Sequence, residues 1–355
     1  MASISFQKRL QSYQQVGKKL ASLDNSQLIS LLESAKEVGH GIGGPVSILS
    51  IEGANVFVKR VRVTDLEMRD KNRSTTSNIF VLPNFYHYGV GSFGFGAWRE
   101  LAAHQMTTEW VLNGVCSRFP LLFHSRVLEI KEPRRLPLGE FGSEDTYVAY
   151  WGDSSSIRKR VEALSESRNE IILFLEYFPE TLKGWLLKKH DASPETQAEC
   201  LLKVEQDLLQ TTAFMKSKGF FHFDGHPMNI LADEDGFYFS DFGLTTSRDF
   251  ELSEGEREFL DQHRDYDTAF AMMLLGRESL RVCGIKSNAR ISEMIRTHAQ
   301  GGKIPEVPNW VGAVLGRCSP AAALMEDFFE ALKKNKSTPF PGLAVTEACR
   351  RALLR

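Results

Sequence analysis

The stretch from His222 to Leu244 constrains this chain more than any other. It reads His-Phe-Asp-Gly-His-Pro-Met-Asn-Ile-Leu, then a short acidic turn, then Phe-Ser-Asp-Phe-Gly-Leu. Asp224, Asn229 and Asp241 each fall just after or between segments that read as strands. Phosphoryl transfer from a nucleotide uses that set: one carboxylate to orient the attacking hydroxyl, and an amide and a second carboxylate to hold magnesium on the phosphates.

A chain of 355 residues is long for one small domain, so two lobes with a cleft between them are expected. Hydrophobic content of 42% and charged content of 25% point to a globular protein rather than a disordered or fibrous one. The longest apolar run, near Ala269 to Leu275, is far short of a membrane span, and Met1 to Leu10 has no apolar signal core. The expectation is a cytoplasmic protein without a membrane partner. A formal charge of −2 gives no footprint for nucleic acid. The basic C-terminal stretch is explained more cheaply as a solvated helix face. Five scattered cysteines with no C-x-x-C pair read as reduced thiols.

Helical spacing runs over Phe6–Leu20 and Ser26–Lys36, an N-terminal helical extension over residues 1–38. Val46 to Val63 alternates with period two around Glu52-Gly53, as in a hairpin. Trp98–Leu112 has helical composition, Leu121–Ile130 reads as a strand, and 131–169 reads as a surface insertion. Ile171–Tyr177 suits a buried strand, and a long helix covers about Glu195–Lys216. Beyond Asp241 the pattern is helical over Asp267–Leu275, Ile291–Ala299, Ala321–Lys333 and Val345–Leu353. The predicted class is α+β and bilobal. A mainly β N-lobe with one key helix spans 39–178, and a mainly helical C-lobe carrying the catalytic loop and Asp-Phe-Gly segment spans 179–355. The seam between them would take the ligand.

Two segments match G-x-G-x-x-G. Gly39-His-Gly41-Ile-Gly43-Gly44-Pro45-Val46 leads into a strand, the usage that folds backbone over phosphates; Gly39, Gly41, Gly44 and Val46 are the candidate contacts. Gly89 to Gly96 leads into a helix, as in dinucleotide sites, but the run before it makes a poor buried strand. It reads instead as a mobile loop close enough to act as a lid. Lys59, in the strand after the first loop, alternates away from Val58 and Arg60 and can reach phosphate oxygens. The plainer reading is an edge-strand lysine. Of the carboxylates on the following helix, Glu100 is placed mid-element to hold that lysine, whereas Glu109 lies near the helix end in solvent. His222 and His226 raise the thought of zinc, but no further His or Cys lies at ligand spacing, and magnesium on oxygen and amide ligands is favoured.

From Gly39 to Leu275 these residues resemble the protein-kinase superfamily. The H-R-D-x-x-x-x-N signature appears as His222-Phe223-Asp224 with Asn229, and D-F-G as Asp241-Phe242-Gly243. The resemblance implies that Asp224 is the catalytic base and that Asn229 and Asp241 are the magnesium ligands. It implies that Lys59 and Glu100 form the pair that positions the α- and β-phosphates. Glu176-Tyr177-Phe178 would be the hinge for adenine, Leu175 the gatekeeper, and Asp267 the buttress of the catalytic loop. Three departures follow. Phe223 replaces the arginine that receives an activation-loop phosphate, so activity without loop phosphorylation is expected. His226 stands where protein kinases usually have lysine, and where aminoglycoside and choline kinase-like enzymes often have histidine. No Ala-Pro-Glu lies between Gly243 and Asp267, so the peptide platform is reduced. The overall look is similar to bacterial proteins described as protein kinase-like.

The resulting expectation is an ATP- and magnesium-dependent phosphotransferase acting on Ser or Thr of a protein. The alternatives are a small-molecule kinase of aminoglycoside or choline type, and a nucleotide-binding pseudokinase.

Overall fold

The computed structural model describes residues 4–41, 44–89, 91–130 and 135–353. It is a mixed α+β structure with a small antiparallel sheet in its N-terminal part and a larger helical C-terminal part. The chain forms two compact units: Met1–Phe178 with Asp241–Ser253, and Pro179–Ser240 with Glu254–Arg355.

In the first unit, helices α1 (Ile4–Ala21) and α2 (Asn25–Glu33) precede β1 (Lys36–Gly41), β2 (Gly44–Ile51) and β3 (Ala54–Val63). A short turn α3 (Asp65–Met68), the helix α4 (Ala97–Leu112), β4 (Leu122–Glu129) and β5 (Asn169–Glu176) follow. The sheet order is β1-β2-β3-β5-β4, with every pairing antiparallel. The β2–β3 hairpin closes on Glu52 and Gly53, whose φ values of 50° and 77° match the twist of the strands they join. Val61 and Val63 pack with Ala97 and Trp98 of α4 and with Leu122, Ile171, Leu173 and Leu175 of the neighbouring strands. The second helix stops earlier than its apolar spacing suggested: Asp24 and Gln27 form a capping box at its start, but Lys36 already belongs to β1. The first helix, α1, packs on β4 with Val16 and Leu20 fully buried. Gly17 permits that approach, because a Cβ there would lie 3.0 Å from the Phe123 carbonyl oxygen.

The region expected as a surface insertion, 131–169, carries regular structure. Over its described part it folds into α5 (Glu144–Tyr150) and α6 (Ser155–Ser165), each capped by a serine. Tyr147, Trp151, Ile157 and Val161 bury themselves against Phe80, Leu82, Tyr86 and Phe95. The Pro, Gly and Ser content that suggested a loop serves the turns and caps, while the buried aromatics make a core of their own.

In the second unit, β6 (Glu180–Thr181) pairs with Ile230–Ala232, which pairs with Phe237–Phe239. The helices are α7 (Leu182–Lys189), α8 (Pro194–Ser217), α9 (Glu254–Gln262), α10 (Tyr266–Val282), α11 (Asn288–Ala299), α12 (Asn309–Lys334) and α13 (Gly342–Leu353). The chain pattern placed the start of α12 at Ala321, but the helix runs straight through Pro320. An interior proline costs about 3 kcal/mol. Burial of Val311, Val314, Leu315, Cys318, Ala321 and Ala322 offsets it. Among the described residues no helix is long and apolar enough to cross a membrane.

Candidate functional site

The sequence-predicted residues divide between the units. Lys59, Glu100 and Asp241 belong to the first, Asp224 and Asn229 to the second.

Lys59 lies on β3, the middle strand of its sheet, paired to Val46 on one side and Leu173 on the other. It is therefore not an edge-strand lysine. Its side chain is buried, with Nζ 2.6 Å from Glu100 Oε1 and 2.7 Å from Asp241 Oδ1. Burial alone would lower the ammonium pKa; the Asp241 and Glu100 carboxylates outweigh it and hold the group above its ordinary value. Burial raises the Glu100 carboxyl, against the pull of Lys59. Glu100 lies in the first turn of α4 rather than mid-helix, where the positive end of the helix favours a carboxylate. Glu109 is exposed.

The start of α4 is itself anchored. Its N-cap is Gly96, which has no side chain, so Glu67 of α3 supplies the missing acceptor: its Oε1 receives the Ala97 N–H at 2.8 Å. Glu67 Oε2 meets Arg160 of α6 at 2.8 Å, and the Glu67 carbonyl accepts from Trp98 Nε1 at 2.9 Å. The inserted helices thus help fix the helix that carries Glu100. Sequence reasoning missed this, because Glu67 and Arg160 are 93 residues apart.

The Asp-Phe-Gly segment is seated within the first unit. Phe242 is fully buried, its ring centroid 4.6 Å from that of His104 and 6.3 Å from that of Phe119. His104 stands one helical turn beyond Glu100, a spacing that could have flagged it. In the described part of the Gly89–Gly96 loop, Ser92 and Phe95 are buried, and Phe95 stacks on His87, whose Nδ1 lies 2.9 Å from the Leu244 carbonyl oxygen. Gly94, at φ 71°, comes so close to Gly243 that a Cβ would sit 2.3 Å from its carbonyl oxygen. Two backbones touching there require glycine.

In the second unit the catalytic-loop candidate is a network built on Asp267. Its carboxylate accepts the His222 and Phe223 N–H groups at 2.8 and 2.9 Å. Burial pushes this carboxyl up to about 6, against those two bonds. The Asp224 N–H donates to His222 Nδ1 at 3.2 Å, so Nε2 carries the proton and donates to the Ser240 carbonyl at 2.9 Å. Asn229 Nδ2 donates to the Asp224 carbonyl at 3.1 Å and to Asp224 Oδ2 at 3.0 Å. That leaves the amide oxygen of Asn229 for other use. His226 Nε2 lies 3.7 Å from the same Asp224 oxygen.

Phe223 and Asp241 both hold positive φ, 62° and 63°. Aspartate tolerates this region; a phenylalanine does so at a cost of order 1–3 kcal/mol. Phe223 is held there by burial among Phe221, Phe259, His263 and Tyr266.

Of the first glycine motif, Gly39 and Gly41 lie on β1 and Gly44 and Val46 on β2, with Gly41 opposite Gly44; Ile42 and Gly43 lie outside the described residues. The motif is thus at a strand-to-strand hairpin. Leu175 and Glu176 end β5 and Phe178 lies two residues beyond it, with Leu175 buried in the sheet core and Glu176 opposite Val56. The Asp241 carboxylate in the first unit and, separately, the Asn229 amide oxygen in the second are each of the oxygen-donor type that suits a hard cation such as magnesium. Among the described residues no group of three or more His, Cys, Asp or Glu is arranged to hold a metal ion. No protein-family model matches the chain, and no curated protein matches it.

Proposed function

We propose that this chain is an ATP- and magnesium-dependent phosphotransferase with a bilobal protein-kinase-like fold, acting on serine or threonine hydroxyls of a protein. One observation carries the reading: a buried lysine in the middle of a five-stranded sheet meets a helix carboxylate and, 182 residues further on, the aspartate of Asp-Phe-Gly. A lysine so paired is charged, desolvated and fixed, ready to exchange one carboxylate partner for phosphate oxygens.

In this reading Asp224 orients the acceptor hydroxyl and takes its proton late in transfer, and Asn229 holds the Asp224 carboxylate in place. Lys59, kept in position by Glu100, and the Gly39–Gly44 hairpin hold the triphosphate; the end of β5, from Leu175 to Phe178, takes the base. Magnesium, held by the Asn229 amide oxygen and the Asp241 carboxylate, would offset charge on the phosphates. Burial of Phe223 among aromatic rings supports activity that needs no loop phosphate.

A second reading, a kinase for a small hydroxylated or aminated molecule, is favoured by His226 beside Asp224 in place of a lysine. The fate of label from γ-labelled ATP decides between them. Purified protein is incubated with magnesium and cell lysate, and the products are separated by size. Label in protein bands supports the first reading, and label confined to the small-molecule fraction supports the second. ATP bound but never consumed would leave a nucleotide-binding pseudokinase and defeat both.

A further inference from the structure

Arg9, on the first helix, is tied to the segment assigned above to the nucleotide base. Its Nε and Nη2 meet the two carboxylate oxygens of Glu176 at 2.8 Å each, a bidentate fork. Nη2 also donates to the Phe119 carbonyl at 2.7 Å and Nη1 to the Ser117 carbonyl at 2.8 Å. The guanidinium carbon lies 5.9 Å from the centroid of the Phe178 ring. One side chain therefore fixes the end of β5 on both sides of Tyr177. It also holds the loop whose Phe119 ring packs on Phe242. Both partners are largely buried, with side-chain exposures of 10% for Arg9 and 12% for Glu176. Glu176 Oε2 further accepts the Leu121 N–H at 3.1 Å, so the carboxylate is committed to holding main chain.

We propose that Arg9 is a positioning residue for nucleotide binding: through Glu176 it sets the main chain from Glu176 to Phe178 that receives the base, and α1 is thereby a working part of the nucleotide-binding unit. The inference rests on the phosphotransferase reading. An arginine is required rather than a lysine, because only the planar fork meets both carboxylate oxygens and two carbonyls at once.

The test is calorimetric titration of the full chain with MgATP and, separately, with adenosine, for wild type, Arg9→Ala, Arg9→Lys and Lys59→Ala. Arg9→Ala is expected to weaken both ligands by a common factor, about tenfold, and Arg9→Lys by about threefold. Lys59→Ala should weaken MgATP and spare adenosine. In turnover, Arg9→Ala should raise KM for ATP while kcat at saturation holds within about twofold, a split that general loosening of the fold would not give. Unchanged adenosine affinity in Arg9→Ala, or loss of MgATP with adenosine kept, overturns the proposal. If Arg9→Ala does not fold, unchanged adenosine affinity in Arg9→Lys does the same. A wild type that binds neither ligand defeats the phosphotransferase reading itself, an outcome distinct from wild-type binding that Arg9 does not affect.

Discussion

His263 lies against Phe259 and Phe340, with ring centroids 3.8 and 4.4 Å apart, and its Nδ1–H donates to the Phe259 carbonyl. Burial pushes its pKa down to about 4, against that one bond. The unfolded chain, with histidine near 6.5, therefore binds the proton first as pH falls. His263 stabilises the fold above pH 6.5, and that contribution is lost on the way down to about pH 4, an effect of about 3 kcal/mol. Asp267 works in the opposite sense: its folded pKa, raised to about 6 from 3.8, lets the native state take a proton first between those values. The two slopes overlap, so the histidine is seen by difference. His263→Phe should gain about 3 kcal/mol on the wild type between pH 7 and pH 4 in urea unfolding; a difference that stays constant with pH would show that His263 does not titrate on unfolding. Single residues of this kind were partly legible in the chain. Asp267 opens an apolar helix and could be picked out, whereas the environment of His263 is assembled from α9, α10 and the turn before α13 and has no local signature.

The Asp-Phe-Gly segment depends on what surrounds it. Gly94→Ala would force a Cβ at φ 71° into the Gly243 carbonyl, with no flexible side chain to yield. Stability should fall by about 1–3 kcal/mol, and phosphotransfer by about a hundredfold as Asp241 shifts. A variant with wild-type rate and melting temperature would mean that the loop does not seat the segment. Further along, Glu251 accepts hydrogen bonds from Thr75 and Ser77, and its N–H donates to Thr76 Oγ1 at 2.9 Å. Glu251→Ala should speed limited proteolysis between Leu244 and Ser253 roughly fivefold, the population change that about 1 kcal/mol brings. Equal cleavage rates in mutant and wild type would show that the Glu251 hydrogen bonds do not hold this segment. Elements with strong period, such as β3, α4 and α8, were legible in the chain to within a residue or two. The packed α5–α6 region and the first half of α12 were not, because short capped helices and an interior proline look like loops until their buried faces find partners.

Across the whole chain, the two-part organisation is visible in the change from strand-like to helix-like pattern near Phe178. What pattern could not tell is that Asp241–Ser253 belongs with the first unit: the contacts that hold it, from Lys59, Gly94, His104 and Thr75, are all distant in sequence. The proposed transfer turns on Asp224, held by Asn229 and by the Asp267 network. It is tested most directly by comparing wild type and Asp224→Ala for MgATP turnover and MgATP affinity in the same preparation. In Asp224→Ala, turnover should fall by about 10³-fold or more while the dissociation constant changes by less than about threefold. Equal turnover in the two proteins would contradict it.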